Sequence, residues 1–363
     1  GFSFNTFAKT EQSLRTGLND PEIQLNVNFR NKGLDIFASA KEWQYRTNQG
    51  SDLGQTTTDI STGTEIFRYE GALKHQWRGI GTHLTGGFNW QINDKHSVGA
   101  KVDYAISTKV DTKERLAMNK YERGTLIESV CSDGHNWSDK PNNTLVNAYY
   151  NGSIGKLTID FNADLFFTND NTHQLMKETA NTTDRDIESV TTSKNNMAAT
   201  KLVLAYPIWK GMLNIGTEET FIERDNTNNS QGTGLPNSTS KVNDKTYAAF
   251  IQYGVALNAK TQASLGLRYE HADFDYKDML NPADNMERSY DNIFPSASIS
   301  TLIGKTRIAL AYSSRTQRPS LGQLNNSMMY HNRFVVQQGN PKLKPSIENN
   351  VSLTTMFSMF TVG

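Results

Sequence analysis

The side chains best suited to chemistry form a short cluster in the first half of this 363-residue chain. Asp133, His135 and Asp139 lie within seven residues, and Trp137 stands between them. Carboxylate oxygens and an imidazole nitrogen are metal ligands, and an indole ring beside carboxylates also suits a sugar. Solvated polar loops contain the same residue types without binding anything, and we assign no metal to this cluster.

No catalytic motif accompanies the cluster. The chain contains no His-Glu-x-x-His, Cys-x-x-Cys, Gly-x-Ser-x-Gly or phosphate-binding loop. Its seven histidines are widely spaced, and its single cysteine, Cys131, falls in a segment predicted to be a polar loop. A lone cysteine cannot form an internal disulfide. We therefore predict that the chain is not an enzyme and carries no cofactor.

A second set of candidates lies toward the C-terminus, in and beside the last predicted loop. Six residues there combine positive charge with aromatic rings: Arg315, Arg318, Tyr330, His331, Arg333 and Phe334. Because loops carry recognition on rigid scaffolds, we predict that these side chains contact a small nutrient ligand. The arginines suit an anionic ligand such as a ferric chelate. The aromatic rings also suit sugars, and the sequence leaves both classes open.

The elements that must position these residues are strands. Apolar and polar side chains alternate with a period of two, which is the period of a strand and not of a helix. In one segment Leu84, Phe88 and Trp90 share a face, while His83 and Asn89 share the other. Short turns that each carry one lysine join these segments at six places: Asn31-Lys32-Gly33, Asn93-Asp94-Lys95, Gly155-Lys156, Lys210-Gly211, Ala259-Lys260-Thr261 and Gly304-Lys305.

A soluble β-sandwich shows the same alternation, but three features favour a membrane barrel. The segments of about 10 to 13 residues match a tilted crossing of a bilayer. Their connections alternate between short turns and loops of roughly 20 to 36 residues, as in outer-membrane barrels. Aromatic residues also end several strands at the long-loop side, where an interfacial belt belongs: Tyr104, Phe167, Phe221, Tyr269 and Tyr312.

We therefore predict an all-β fold, an antiparallel up-and-down transmembrane β-barrel with about 14 strands present, whose outer face contacts outer-membrane lipid. The predicted strands span residues 21–31, 33–45, 79–92, 95–108, 143–154, 156–168, 194–208, 211–223, 245–258, 261–272, 292–303, 305–316 and 346–357. An earlier strand is predicted to end near residue 8. The predicted long loops are 46–78, 109–142, 169–193, 224–244, 273–291 and 317–345.

Composition and charge agree with this architecture. The hydrophobic fraction is 36% and the mean hydropathy is −0.60, which a barrel tolerates because only half of each strand faces lipid. The 37 basic and 37 acidic residues give no net charge, so no nucleic-acid partner is predicted. Charges of both signs on the polar faces predict a wet, balanced lumen: Arg30, Lys101, Asp103, Asp160, Asp164, Lys201, Glu218, Arg268, Glu270 and Arg307.

Two motifs around the last predicted loop carry a resemblance to a known family. The chain reads Arg318-Pro319 and later Gly339-Asn340-Pro341-Lys342-Leu343-Lys344-Pro345. This pair is similar to a pattern found late in TonB-dependent outer-membrane receptors, where Arg-Pro precedes Gly-Asn-Pro-x-Leu-Lys-Pro-Glu. Ser346 here replaces the acidic residue, and Glu348 follows two positions on. Since a proline biases the residue before it toward extended geometry, the motif is predicted to be chiefly structural.

The resemblance covers most of residues 20–357 and implies the carboxy-terminal barrel domain of a receptor in the outer membrane of a Gram-negative bacterium. Such receptors have about 22 strands, a plug in the lumen and a segment that engages TonB. The plug and the TonB segment match no residue of this chain, and both chain ends resemble cut ends. The resemblance thus predicts that residues 1–363 are a partial barrel domain, with the plug and final strands outside it.

The function implied by this resemblance is TonB-dependent uptake of a scarce nutrient, such as a ferric chelate or an oligosaccharide. TonB would then be engaged through the missing plug region. Two alternatives remain open: a passive porin-like channel of about 14 to 16 strands, and a secreted all-β adhesin or lectin.

Overall fold

The computed structural model describes residues 1–12, 19–320 and 322–357. Over these residues the chain forms seventeen strands and one 3₁₀ turn, Pro282–Asp284. The strands are β1 (Phe2–Gln12), β2 (Asn19–Asn31), β3 (Leu34–Thr58), β4 (Glu65–Asn93), β5 (His96–Glu122), β6 (Thr125–Ser138), β7 (Asn142–Ile154), β8 (Leu157–Ala180), β9 (Arg185–Ile208), β10 (Gly211–Gln231), β11 (Ser238–Asn258), β12 (Thr261–Asp278), β13 (Met286–Ile303), β14 (Thr306–Gln317), β15 (Met328–Asn332), β16 (Val335–Gln338) and β17 (Ser346–Phe357).

Fifteen of these strands form one antiparallel sheet that follows the chain order from β1 to β14 and ends with β17. β6 and β7 lie end to end within it, because β5 pairs with β7 through residues 96–106 and with β6 through residues 110–122. β8 pairs with both in the same way. Counting β6 and β7 as one crossing, the described strands cross fourteen times. This confirms the predicted all-β, up-and-down architecture.

All six predicted lysine turns are present as two-residue turns between adjacent strands. In the first, Lys32 and Gly33 have φ values of 44° and 83°. Positive φ at both central residues defines a type I′ turn, whose twist matches that of the flanking strands. In the second, the backbone N–H of Lys95 donates to Asn93 Oδ1 at 2.9 Å. The fourth turn is centred on Trp209-Lys210, one residue earlier than predicted.

The turns share one rim of the sheet, as predicted. Trp137 pairs with His173 near one end of β8, whereas Lys156 immediately precedes Leu157 at the other end. In barrels of this kind the short turns usually lie on the periplasmic side. The connections on the far rim then lie on the extracellular side.

The strands are much longer than predicted, and this corrects the predicted loops. β4 has 29 residues and β5 has 27. The segments 46–78, 109–142, 169–193, 224–244 and 273–291 mostly continue strands and leave only short connections between them. The prediction was wrong because, above the bilayer, neither face of the sheet meets lipid, so the contrast between an apolar and a polar face disappears.

A β-bulge in β5 exchanges its two faces. The register against β4 shifts between Ile80 and Gly81, which leaves Thr108 as an extra residue. One extra residue turns every later side chain to the opposite face. Even-numbered residues of β5 consequently face lipid below the bulge, as Val102 does, and face the lumen above it, as Leu116 does.

The membrane-facing half of the sheet agrees with the alternation in the sequence. In the predicted hairpin 79–108, Leu84 pairs with Tyr104 and Trp90 pairs with Val98. The lipid-facing side chains of this hairpin are exposed on the sheet surface, including those of Leu84, Trp90 and Phe88. Pairs of neighbouring strands place further aromatic rings at one level on this face, such as Phe221 against Tyr247 at 5.5 Å between ring centroids. Such a row fits an interfacial belt.

The first and last strands of the sheet pair on one side only. Among the residues that the structure describes, no ladder joins β1 to β17, so the sheet keeps two edges over these ranges. The described part of the chain contains no helix that is long and apolar enough to span a membrane.

Candidate functional site

The acidic and aromatic cluster predicted to lie in a loop is part of β6 and the turn after it. Cys131, Asp133, His135 and Trp137 are odd-numbered residues of β6 and face away from the lumen. The predictions that Cys131 and this cluster stand in a loop are therefore wrong, because β5 and β6 continue as a paired ladder beyond the bilayer.

The cluster also divides into separate contacts. His135 Nε2 lies 3.1 Å from Asp111 Oδ2, and Trp137 packs against the ring of His135. On the other side of Trp137, His173 stacks on the indole and approaches Asp139 Oδ2 at 2.6 Å. Within the described ranges, no three His, Cys, Asp or Glu side chains converge as a metal site would require.

The connection between β14 and β17 folds back into the outer end of the lumen. Its two strands, β15 and β16, pair as a hairpin and form a separate small sheet. Tyr330 of this hairpin is buried and packs with Met176 and Ile187 from the inner faces of β8 and β9, and Leu235 packs beside them. The hairpin is therefore part of the packed structure and not a free loop.

A buried ionic group fixes the hairpin to the wall. Arg333 donates from Nε to Glu178 Oε1 and from Nη1 to Glu128 Oε1, each at 2.8 Å. Its Nη1 also bonds to Thr182, and its Nη2 bonds to the carbonyl of Thr183. The second Glu178 oxygen accepts the Tyr330 hydroxyl at 2.6 Å. Because every guanidinium nitrogen has a partner, the charge is fully compensated.

The pKa values of these groups follow from the same contacts. Burial lowers the pKa of Arg333, but the hydrogen bonds and charges of Glu178 and Glu128 outweigh it and raise the pKa overall. Burial raises the pKa of Glu128, yet the hydrogen bonds from Thr182 and Arg333 lower it overall. Burial and the hydrogen bond to Glu178 raise the pKa of Tyr330 to about 12. The ion pairs and the neutral phenol are therefore stable together near neutral pH.

The motif that carries the family resemblance fixes both ends of the same connection. The guanidinium of Arg288 on β13 donates to the carbonyls of Leu343 and Lys342 at 2.8 and 3.1 Å. The backbone N–H of Asn340 donates to Gln323 O at 2.6 Å. Side chains of the motif line one small recess on the wall: Arg318, Pro319, Leu343 and Pro345. These contacts support the prediction that the motif is chiefly structural.

Gly339 lies where two backbone segments meet. A Cβ atom at this position would stand 2.3 Å from Asn325 O and 2.6 Å from Gln323 O. Real Cβ atoms do not approach backbone oxygens so closely, so only glycine fits without a backbone shift. The glycine of the motif is thus required by the fold of the connection.

Two of the predicted ligand contacts are also held by carboxylates. Arg318 bonds to Glu270 Oε1 at 2.7 Å and to Thr246 Oγ1 at 2.8 Å on the inner wall. Arg315 bonds to Glu348 on β17 at 2.8 Å, and this pair is largely exposed. Together with Arg333, all three arginines of the predicted set have carboxylate partners.

A cavity of about 640 Å³ lies between the hairpin and the inner wall formed by β3, β4, β5, β6 and β8. Of the six predicted contact residues, His331 and Phe334 line it, while Arg315, Arg318, Tyr330 and Arg333 do not. Its wall is mainly apolar and includes Leu53, Tyr69, Leu73, Leu116, Met118, Met176 and Val335. Its polar lining groups include His75, Glu114, Ser132 and Gln337. The cavity is open and has the size of a small-molecule site.

Sequence reasoning missed most of these cavity residues. Leu116, Met118 and Ser132 fall in the segment predicted as loop 109–142, so their side chains were given no direction. Little signal was available, because residues 114–118 read Glu-Arg-Leu-Ala-Met without alternation, and the bulge at Thr108 breaks the phase of the pattern from the membrane half. The role of a ligand contact for the six predicted residues remains a prediction.

Several solved structures of outer-membrane proteins align with this chain at low sequence identity and low TM-score. The outer-membrane protease OmpT from Escherichia coli is 10% identical, with a TM-score of 0.27, 73% of this chain covered and 95% of that one. The toluene transporter TodX from Pseudomonas putida is 11% identical, with a TM-score of 0.34 and coverage of 88% and 83%. The ferric citrate transporter FecA is 11% identical, with a TM-score of 0.26 and coverage of 87% and 66%. Likenesses at this level carry no argument about ligand or catalysis.

No curated protein sequence matches the chain. A family model does: the model described as the outer membrane protein beta-barrel family matches residues 153–362. This match spans more than half of the chain and includes β8 to β17 together with the inward-folded connection. The protein therefore belongs to the outer membrane protein beta-barrel family and resides in the outer membrane of a Gram-negative bacterium.

Proposed function

We propose that this barrel is part of a receptor that captures a scarce nutrient at the outer end of its lumen and imports it by a TonB-dependent mechanism. The observation that carries the proposal is the cavity of about 640 Å³ beneath the docked hairpin. A chamber that is lined by side chains and partly roofed by a fixed hairpin suits the capture of a dilute molecule better than free diffusion.

The resemblance of the Arg318-Pro319 and Gly339–Pro345 motifs to TonB-dependent receptors supports the energy-coupled form of this proposal. We include TonB, and the plug through which TonB acts, in this proposal. Residence in the outer membrane leaves a secreted adhesin or lectin without support.

A passive channel is the second candidate, and one observation favours it. The described strands cross fourteen times in a single sheet, which is the strand number expected of a modest porin-like channel. The docked hairpin argues against it, since it occupies the outer end of the path that a solute would follow.

Deletion of the gene in its native host, alone and combined with loss of TonB, tests the proposal. Growth would be compared while iron, vitamins and carbohydrates are limited in turn. If the protein is a TonB-dependent receptor, its deletion should cause a growth defect in one of these conditions. Loss of TonB should cause the same defect, and the double deletion should be no worse than either single deletion. A defect that is additive with loss of TonB, together with steady conductance of the purified full protein in planar bilayers, would instead establish the passive channel.

A further inference from the structure

The charges around the cavity restrict what it can bind. The arginines that made an anionic ligand attractive in the sequence are all paired: Arg315 with Glu348, Arg318 with Glu270, and Arg333 with Glu128 and Glu178. None of these arginines lines the cavity. An anion entering the cavity would therefore gain no arginine partner to replace its lost hydration.

The charged group that does line the cavity is a carboxylate. Glu114 Oε2 lies 3.6 Å from His75 Nδ1, and both side chains belong to the lining. Lys120 does not line the cavity, and its ammonium lies 4.7 Å from the ring centroid of Phe67 and 5.9 Å from that of Phe334. Lys120 also contributes its charge to Glu128, lowering the pKa of that carboxyl. Among the described residues, no arginine or lysine therefore lines the cavity to receive an anionic ligand.

Two buried polar atoms in the lining have no hydrogen-bond partner. Ser132 lines the cavity and is 1% exposed, and its Oγ has no hydrogen-bond partner in the protein. Nδ1 of His75 is also without one, since 3.6 Å to Glu114 is too long for a hydrogen bond. Buried hydroxyls in native proteins are almost always hydrogen-bonded. The unsatisfied hydroxyl of Ser132, which pairs with Leu116 across the sheet, marks the position of a polar group on a bound molecule.

We infer that the cavity binds an uncharged, largely apolar molecule that carries a hydrogen-bonding group directed at Ser132. The inference rests on the proposed function, because it names the ligand class of the same cavity. The apolar body would pack on side chains such as Leu73, Leu116, Met118 and Phe334, which belong to the apolar part of the wall. Ferric chelates and other anions are disfavoured by Glu114.

Two probes with one ring system test the ligand class: 2-naphthylmethanol, which is neutral, and 2-naphthoate, which is anionic. Binding to the full protein in lipid nanodiscs would be measured by equilibrium dialysis, with partition into empty nanodiscs subtracted. We expect the alcohol to bind at least about tenfold more tightly than the carboxylate. Equal binding, or tighter binding of the carboxylate, would overturn the inference.

Variants of the lining locate the binding. Ser132→Ala should weaken binding of the alcohol about threefold to tenfold, which corresponds to one hydrogen bond. Glu114→Gln should strengthen binding of the carboxylate and narrow the gap between the probes. Ser264→Ala is the matched control, because Ser264 bonds to Ser298 at 2.8 Å on β12 and β13, away from the cavity. No effect of Ser132→Ala, or an equal effect of Ser264→Ala, contradicts the assignment.

The outcomes separate this inference from the proposed function. If growth shows no dependence on TonB while the alcohol binds selectively through Ser132, the ligand class stands and the energy-coupled mechanism fails. If growth depends on TonB while the carboxylate binds as well as the alcohol, the uptake function stands and the ligand class fails.

Discussion

Arg333 donates from its Nε to Oε1 of Glu178 at 2.8 Å, although 155 positions of sequence separate the two residues. The Glu178 side chain is fully buried and that of Arg333 is 6% exposed. The contact connects the inward-folded hairpin to the far wall of the barrel, and Glu128 completes it from β6. The position of the β15–β16 hairpin over the cavity therefore depends on a small number of buried charges.

Replacing Arg333 by alanine should release the hairpin. The change leaves Glu178 and Glu128 buried without their cation, and breaking such a pair from one side costs about 3–5 kcal/mol. Hydrogen exchange of residues 328–338 should accelerate accordingly, while the membrane strands stay protected. Arg315→Ala is the control, because its pair with Glu348 is exposed and worth about 0–1 kcal/mol. Similar exchange in both variants would contradict the anchoring role of Arg333.

Docking of the hairpin should also depend on acidic pH. The pKa of Glu128 is lower in the folded protein than its usual value. A lowered carboxyl pKa contributes stability that is present above the unfolded pKa and is lost as the pH falls through the folded value. We therefore expect exchange of residues 328–338 to accelerate below a pH of about 4.3, the ordinary pKa of a glutamate.

Glu128→Gln is the control for this pH dependence. Glutamine cannot ionise, so the variant should show weaker docking at neutral pH and a smaller further loss in acid. If the wild-type protein and the variant respond to acid identically, Glu128 does not contribute to the pH dependence of docking.

Gly339→Ala should disturb the connection more than its small size suggests. The added methyl would meet Asn325 O at 2.3 Å and Gln323 O at 2.6 Å, so the backbone would have to move. We expect a loss of about 1–3 kcal/mol in local stability, as for other overpacked sites. Limited proteolysis of the segment around residues 322–345 would detect it. Gly322→Ala provides the comparison, since its nearest atom is Ser320 Oγ at 4.0 Å, and equal sensitivity of both variants would refute the steric argument.

The sequence predicted the membrane half of the fold and much less of the site. Lipid on one face and water on the other make side chains such as Val102 and Lys101 alternate, and the turns between strands carry distinctive residues such as Lys32-Gly33. Above the bilayer this contrast is lost, so the outer part of β5, residues 109–122, and all of β6 were predicted as loop. The bulge at Thr108 hid the pattern further, because even-numbered residues of β5 face lipid before it and the lumen after it, as Leu116 does.

The arginines near the C-terminus illustrate the other limit. Their charges and motif were visible in the sequence, but the carboxylates that neutralise them come from distant strands, such as Glu178 for Arg333 and Glu270 for Arg318. No local sequence pattern indicates these ion pairs, because they depend on how far the connection between β14 and β17 folds into the lumen. The sequence therefore showed the charges of these arginines but not the contacts that hold Arg318 and Arg333 on the inner wall, and their role as ligand contacts stays a prediction.

The assignment of the two faces of β5 can be tested in the membrane half, where Val102 and Lys101 are adjacent in sequence and opposite in space. Val102 pairs with Gly86 and Val146 on the exposed lipid face, whereas Lys101 reaches Asp103 at 2.6 Å on the lumen face. Val102→Arg should lower the free energy of unfolding by about 2–4 kcal/mol near the bilayer midplane, because its charge would enter lipid. Lys101→Arg keeps a cation beside Asp103 and should change it by about 0.5 kcal/mol or less. Urea unfolding in lipid vesicles measures both, and equal losses would show that the faces are assigned the wrong way round.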